Sequence, residues 1–202
     1  VYPTTPTTYY ARWENSCGNS TCQSTTVPVY CRQEYFSYSN GVLVGMGGWM
    51  GSASATQIEI IDQKVRINSG SGNYDAIKNM SCDGQGQGFI WVRCKIWAGA
   101  GANVIWNLWV DDPSNLNLAR WYGSGTFVRG RIGPTSLITG AWQTLVTGIW
   151  NTIDVKINPA ADTSEFFFNG VSIGTLSHAS QGSGDTIGRV RFERINNNVP
   201  SE

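Results

Sequence analysis

Apolar and polar residues alternate along several short stretches of the chain. In FIWVRCKIW (89–97), the alternation places apolar side chains on one face of an extended strand and polar or aromatic side chains on the other. WNTIDVKI (150–157) repeats this two-residue period. Because no segment keeps a 3.6-residue period through three helical turns, the pattern predicts an all-β chain.

Turn signals separate these stretches. Asn169-Gly170, between EFFF and VSIGTL, is typical of a two-residue β-hairpin. The glycine strings SGSG (69–72) and DGQGQG (83–88) are followed by predicted strands rather than helices, which indicates turns or bulges and not phosphate-binding loops. Many short strands joined by turns predict a sandwich or a barrel.

Two parts of the chain resemble a known family. YSNGVLVGMGGW (38–49) resembles the opening of concanavalin A-like, laminin-G-like jelly-roll domains of secreted bacterial proteins, and the stretches 150–178 and 185–195 resemble their C-terminal half. The resemblance covers roughly 35–195 and implies two packed antiparallel sheets, often with a concave face that meets a glycan. This scaffold hosts lectins, lyases, glycosidases and structural modules, so activity must be argued from the site.

The first 33 residues differ from the rest. VYPTTPTTYY is rich in Thr and Pro and predicts an extended arm, and a cysteine-containing loop follows it. We therefore expect an arm over 1–33 and a jelly-roll domain over 34–202. Domains of this family usually finish with one more apolar strand than the NNNVPSE end provides. Either the arm supplies that strand or another molecule does, which predicts self-association through the arm or a sheet edge.

Composition narrows the classes of partner. The 202-residue chain has zero net charge and only 14% charged residues, so no global field favours nucleic acid or a membrane surface. No apolar run approaches the ~20 residues of a membrane helix. Nine tryptophans supply large flat rings, which build cores and also sugar-binding platforms.

The five cysteines predict an oxidising compartment. Cys17 and Cys22 are close enough to close a small loop, and Cys82 and Cys94 are predicted to pair across neighbouring strands, which leaves Cys31 unmatched. With a single histidine and no C-x-x-C motif, a zinc site is not expected. The chain is predicted to be secreted or exposed at the cell surface.

Two triplets match the N-glycosylation acceptor pattern. They are Asn19-Ser20-Thr21 and Asn79-Met80-Ser81, and they predict a glycoprotein.

A set of aromatic and cationic side chains forms the candidate site. If the strands that carry them are neighbours, the rings and guanidinium groups share one sheet face, with Asn107 and Phe127 beside them. Rings stack on the apolar faces of sugars, and arginine forks bind carboxylates or sulfates. The alternative is that the same cations pair with acids and stack on tryptophan for stability. The predicted carbohydrate-binding residues are Trp91, Arg93, Lys95, Trp97, Trp109, Arg120, Tyr122, Arg129 and Arg131.

The loop WVDDPSNLN holds a cluster of hard oxygen ligands. Asp111 and Asp112, with Asn115 and Asn117, could hold a structural Ca²⁺, which takes six to eight oxygens. The alternative is an ordinary turn, since turns use the same residues. No other cofactor is expected.

Catalytic signals are sparse. Glycoside hydrolysis usually needs two carboxylates facing one sugar, and the strand-borne candidates are Glu59 and Glu165, then Asp62 and Glu193. They do not reproduce the closely spaced Glu-x-Asp-x-x-Glu pattern of jelly-roll glucanases.

Two other catalytic groupings are open. Tyr122 with Arg120 and Arg129 could serve a lyase, in which a base lies beside neutralising cations. A Ser-His-Asp triad could use only His178, which is predicted to lie in a surface loop.

These patterns favour a non-catalytic, extracellular carbohydrate-binding module. One alternative is a structural subunit of a filament or surface layer that assembles through its N-terminal arm. A second is a polysaccharide lyase or glycoside hydrolase.

Overall fold

The structure is a computed structural model, and the chain divides into two compact units, Val1–Gln33 and Glu34–Glu202. The structure describes the side chains of residues 34–54, 57–68, 71–82, 88–98, 104–133, 138–179 and 186–195. For residue 137 it describes the backbone alone. In the first unit the backbone of four strands is described. Strand β1 (Thr7–Ala11) pairs with β4 (Gln23–Val27), and β2 (Glu14–Asn15) pairs with β3 (Gly18–Asn19), both antiparallel.

The second unit is built from strands, which confirms the all-β prediction. A short 3-10 helix, Pro159–Ala161, follows one of them. The strands are β5 (Gly41–Val42), β6 (Trp49–Met50), β7 (Ile58–Ile61), β8 (Lys64–Ile67), β9 (Tyr74–Cys82), β10 (Ile90–Trp97), β11 (Ile105–Asp111), β12 (Asn117–Ser124), β13 (Phe127–Ile132), β14 (Leu137–Ile138), β15 (Gln143–Thr144), β16 (Trp150–Asn158), β17 (Thr163–Phe168), β18 (Val171–Ser177) and β19 (Ile187–Ile195).

Three sheets organise these strands. The large sheet has the order β14-β13-β12-β11-β19-β9-β6, with β15 also paired to β13. The small sheet has the order β10-β16-β17-β18, and a third sheet is formed by β5-β7-β8. All strand pairs within them are antiparallel, as the predicted jelly-roll sandwich requires.

The inner faces of the large and small sheets form the main core. Trp121 of β12 meets Phe166 of β17 edge to face, with ring centroids 5.3 Å apart. A Cβ on Gly130 of β13 would lie 2.5 Å from the Phe166 ring, so only glycine allows this close approach. The Ser164 hydroxyl donates to the Leu118 carbonyl oxygen (2.7 Å) and ties the two sheets together. The sandwich therefore fixes which side chains of each strand face away from the core.

A second core cluster lies beside the three-stranded sheet. It contains Leu43, Trp49, Ile58, Ile60 and Ala76. The ring of Trp49 stacks on Phe192 of β19 at 5.5 Å.

The hairpin prediction at Asn169-Gly170 is confirmed. These two residues join β17 to β18, and both have positive φ, 49° and 82°, as a two-residue hairpin turn favours. The Asn169 Oδ1 also accepts a hydrogen bond from the Thr152 amide (2.7 Å), which fixes the turn against β16.

The predicted Cys82–Cys94 pairing is wrong. Cys94 is a free thiol, whereas Cys82 is disulfide-bonded. Cys82 lies on β9 of the large sheet and Cys94 on β10 of the small sheet, so the two are not on neighbouring strands, as the prediction required. Burial, and to a lesser extent the charge of Asp154, raise the pKa of the Cys94 thiol to about 12. Cys17, Cys22 and Cys31 lie outside the described residues.

Within the described ranges, no helix is long and apolar enough to cross a membrane.

Candidate functional site

The predicted aromatic and cationic set divides between the two sheets. Strand β10, with Trp91, Arg93, Lys95 and Trp97, pairs with β16 in the small sheet. It does not lie beside β11, as a shared face would require, so the expectation of one continuous face is wrong. The other five residues are brought together on the large sheet, on the side away from the core.

Strand register arranges those residues in two rows. Tyr122 pairs with Arg129 on one side and with Asn107 on the other, and Asn107 pairs in turn with Glu193. In the next row, Trp109 lies between Arg120 and Arg191, and Arg120 pairs with Arg131. Because side chains alternate along a strand, all of these project from the same face.

Guanidinium groups stack on aromatic rings throughout this surface. Arg120 lies 4.4 Å from the centroid of Trp109, and Arg191 lies 4.5 Å from the same ring. The Arg131 guanidinium lies 4.0 Å from the centroid of the Tyr122 ring. We call this surface the arginine–aromatic face, and it comprises Trp109, Arg120, Tyr122, Arg129, Arg131, Trp142 and Arg191.

Trp142 also belongs to this face, although it is not among the carbohydrate-binding residues predicted from the sequence. Its ring is 5.6 Å from Tyr122 and 6.4 Å from Phe127, and the Arg129 guanidinium lies 4.2 Å from its centroid. It is 36% exposed. Trp142 precedes β15 and lies outside any alternating run, so no periodic signal could have placed it. Arg191 was also missed, because the order of β19 in the sheet is not visible in the sequence.

Arg120 is the most deeply placed cation of the face. Its side chain is buried, its Nε donates to Asn107 Oδ1 (2.7 Å), and its Nη1 donates to the Gly133 carbonyl oxygen (3.3 Å). Burial, together with the smaller effect of the neighbouring Arg131 charge, lowers the pKa of Arg120 to about 10. Arg120 is therefore protonated at neutral pH, and its positive charge lies beside the rings of Trp109 and Tyr122.

Two carboxylates lie together at the other end of the same rows. Glu193 Oε2 accepts from Asn107 Nδ2 (2.6 Å) and Trp109 Nε1 (2.7 Å), and its Oε1 lies 3.7 Å from Arg191 Nη1. Asp75 is directly opposite Glu193 on β9, and its Oδ1 accepts from the amide and hydroxyl of Ser52. Directly opposite residues have Cβ atoms about 4.5–5.5 Å apart. The face is thus acidic at β9–β19 and cationic at β12–β13.

The outward face of β10 is a separate surface. Arg93 forms an ion pair with the buried Asp154, with 2.7 Å between Arg93 Nε and Asp154 Oδ1. This pair links two neighbouring strands of the small sheet. Trp91 contacts Phe167 at 5.1 Å, and Trp97 contacts Trp150 at 5.6 Å. Trp91 and Trp97 are about half exposed. Three of the four predicted residues here therefore have protein partners.

The carboxylates of the predicted calcium loop also have partners. Asp111 accepts from Arg189 Nε (2.7 Å) and Asn117 Nδ2 (3.1 Å), and Asp112 Oδ1 accepts from the Leu116 amide (2.8 Å). Burial raises the pKa of Asp111. Across the described residues, no group of three or more His, Cys, Asp or Glu side chains could hold a metal ion.

His178 is fully buried rather than on the surface, so its predicted location is wrong. Its Nδ1 lies 3.2 Å from Ser164 Oγ, and its Nε2 lies 3.9 Å from Asp162 Oδ1. The Ser164 hydroxyl proton goes to Leu118, so Nδ1 must carry the ring proton and donate to Ser164. Ser164 is also fully buried, so this Ser, His and Asp grouping is a structural link and not a nucleophile site.

Of the other acids weighed for catalysis, Glu59 accepts from Arg66 and Asn68 in the three-stranded sheet. Glu165 accepts from Ser172 in the small sheet. Neither lies on the arginine–aromatic face, whereas Glu193 does.

Comparison with known proteins identifies the fold. No protein-family model matches the chain, and no curated protein matches it. The structure is similar to a sialidase, with a TM-score of 0.62 and 9% identity, over 96% of this chain and 18% of the sialidase. The chain therefore spans less than a fifth of that protein's length.

Two further solved structures share the fold. The apo Crh5 transglycosylase matches with a TM-score of 0.55 and 15% identity, over 84% of this chain and 70% of the other. A Bacillus licheniformis beta-glucanase matches with a TM-score of 0.50 and 11% identity, over 81% of this chain and 83% of the other. At these identities the similarity establishes the jelly-roll β-sandwich fold that the chain has in common with these proteins.

Proposed function

We propose that the second unit is a carbohydrate-binding module and that the arginine–aromatic face is its binding surface. The observation that carries this proposal is the alternation of rings and guanidinium groups on one sheet face. Trp142, which is 36% exposed, offers a flat apolar surface for the C–H face of a sugar ring, and the buried Tyr122 ring supports it from beneath. Arginines between them offer hydrogen-bond donors to sugar oxygens.

The neighbours in fold agree with this proposal. They are a sialidase, a transglycosylase and a beta-glucanase, and all three names denote proteins that act on carbohydrates. A shared fold does not fix activity, so the function proposed for this chain depends on its own arginine–aromatic face.

The side chains of this face favour binding of a carbohydrate without catalysis. The rings and arginines extend across four strands of the large sheet, whereas the acids occupy only one end of the rows. Glu193 and Asp75 each accept two hydrogen bonds on one carboxylate oxygen, which holds them in place as structural acceptors.

Glycoside hydrolysis is the second candidate, and one observation supports it. Asp75 and Glu193 are directly opposite on adjacent strands. Paired residues project from the same face of a sheet, so both carboxylates can face one sugar, as the two carboxyl groups of a retaining glycosidase do. In that case Glu193→Gln would abolish the release of shortened glycans.

We also propose that the protein acts outside the cytoplasm, with a glycan as its partner. The disulfide-bonded state of Cys82 supports an oxidising compartment. The exposed side chain of Asn79 is compatible with the predicted glycosylation of that residue.

A glycan screen followed by titration calorimetry tests the proposed function. The full chain is screened against neutral and acidic oligosaccharides, and the best ligand is titrated into wild type and Trp142→Ala. Trp142 is exposed, so its removal leaves the core intact. We expect the affinity to fall at least about tenfold, which corresponds to about 1.4 kcal/mol.

Trp91→Ala is the matched control, because Trp91 is similarly exposed but lies on the small sheet. It should bind like wild type. If Trp91→Ala loses affinity while Trp142→Ala does not, the binding surface lies on β10 and the proposal is wrong. If no oligosaccharide binds, the carbohydrate function itself is refuted.

A further inference from the structure

We propose that the carbohydrate bound by this face is acidic, and that Arg129 holds its anionic substituent, a carboxylate or a sulfate ester. This inference rests on the proposed function and specifies the ligand class.

Arg129 is the cation best placed for a ligand. Its guanidinium lies over the ring of Trp142 at 4.2 Å and near Tyr122 at 5.8 Å, and the side chain is partly exposed. Within the part of the chain that the structure describes, Arg129 makes no ion pair, and its Nε is buried without a hydrogen-bond partner. Ring stacking uses the flat faces of a guanidinium and leaves its in-plane N–H groups for an acceptor.

The surrounding charge is positive over a long stretch of chain. Residues 113–153 contain no Asp or Glu, yet they contain Arg120, Arg129 and Arg131. These three arginines lie on the adjacent strands β12 and β13. An anion bound at Arg129 would therefore lie beside two further arginines, in a stretch of chain that has no acidic residue.

Glu193 is too distant to neutralise Arg129. Glu193 lies on β19 and Arg129 on β13, three strand spacings apart in the large sheet. At ~4.8 Å for each spacing, the two strands are about 14 Å apart. This exceeds the screening length of about 10 Å at 0.1 M salt. An acidic ligand can thus place its charge near Arg129 without meeting the Glu193 carboxylate.

Rings beside the arginines favour an acidic sugar over a simple polyanion. The exposed Trp142 ring adjoins the Arg129 guanidinium, so a pyranose can contact this ring while its substituent meets the N–H groups. The zero net charge of the chain gives polyanions no long-range attraction to the protein as a whole.

A matched ligand pair isolates the effect of charge. A uronic acid oligosaccharide and the same compound with its carboxyl groups reduced to alcohols are titrated into the full chain at low and physiological salt. We expect the acidic form to bind at least about tenfold more tightly, and salt to weaken only the acidic form. A sulfated, carboxyl-free oligosaccharide shows whether a sulfate ester is also accepted.

Variants assign the preference to Arg129. Arg129→Gln should remove the difference between the paired ligands, and Arg129→Lys should recover only part of it, because lysine keeps the charge but lacks the fork. Lys95→Gln on the small sheet makes the same change in net charge and should bind like wild type.

Three results would overturn the inference. Equal affinity for the acidic and reduced ligands would leave a neutral-sugar module, so the proposed function would stand while the acidic preference fails. An undiminished preference in Arg129→Gln would remove the role of that residue. Binding of poly-L-glutamate as tightly as the acidic oligosaccharide would show that the face recognises charge and not sugar.

Discussion

At the scale of single residues, the guanidinium groups of the arginine–aromatic face are positioned more by stacking on rings than by pairing with carboxylates. Trp109 has a guanidinium on each side, and Tyr122 has Arg131 at 4.0 Å. A cation stacked on a ring is worth about 0.5–2 kcal/mol, depending on how far it is desolvated. Stacking fixes the position of each guanidinium, and Arg129 makes no ion pair within the described residues, which suits the recognition of an anion.

His178 gives the protein a pH-dependent stability. Burial lowers the pKa of His178, and the nearby Asp162 charge only partly opposes this effect. The unfolded chain, with a histidine pKa of about 6.5, therefore binds more protons than the folded chain as the pH falls below that value. The free energy of unfolding should decrease as the pH is lowered from about 7 to about 5.

Urea unfolding at several pH values measures this effect. One proton can change the stability by at most about 1.4 kcal/mol per pH unit. Because His178 is the sole histidine of the chain, His178→Gln should remove most of the slope in this range. A slope that persists in the variant would contradict the assignment.

At the scale of strands, alternation predicts which face a side chain occupies but not which strand lies beside it. The two-residue period of each strand predicts the sheet face from which Trp109, Tyr122 and Arg129 project. The position of β10 does not, because consecutive strands can lie in either sheet of a sandwich. The sequence thus predicts the fold class and five members of the site, but not the split between the sheets.

Gly130 sets the distance between the two sheets. A Cβ at this position would lie 2.5 Å from the ring of Phe166, which is fully buried and cannot move aside. Gly130→Ala should therefore destabilise the protein by about 1–3 kcal/mol, as overpacking of a core does. Chemical denaturation measures the loss.

Gly140→Ala is the control for this substitution. A Cβ on Gly140 would meet no atom within 4 Å, so its effect on stability should be small. Equal losses in the two variants would mean that the contact with Phe166 does not determine the sheet spacing.

At the scale of the whole domain, the sandwich carries two aromatic surfaces that differ in charge balance. On the small sheet, Arg93 is paired with Asp154, and tryptophans pack against neighbouring rings. On the large sheet, Arg129 has no carboxylate partner within the described ranges. This difference in charge pairing supports our proposal that the ligand binds to the large sheet, whereas the Arg93–Asp154 ion pair stabilises the small sheet.

The indole N–H signals of the tryptophans test this assignment most directly. Nuclear magnetic resonance resolves each indole, and a titration with the uronic acid oligosaccharide reports which rings meet the ligand without any substitution. We predict that the signals of Trp109 and Trp142 move in proportion to ligand binding, while those of Trp91 and Trp97 stay in place. Movement of Trp91 and Trp97 with no change at Trp109 and Trp142 would place the ligand on the small sheet and contradict the account.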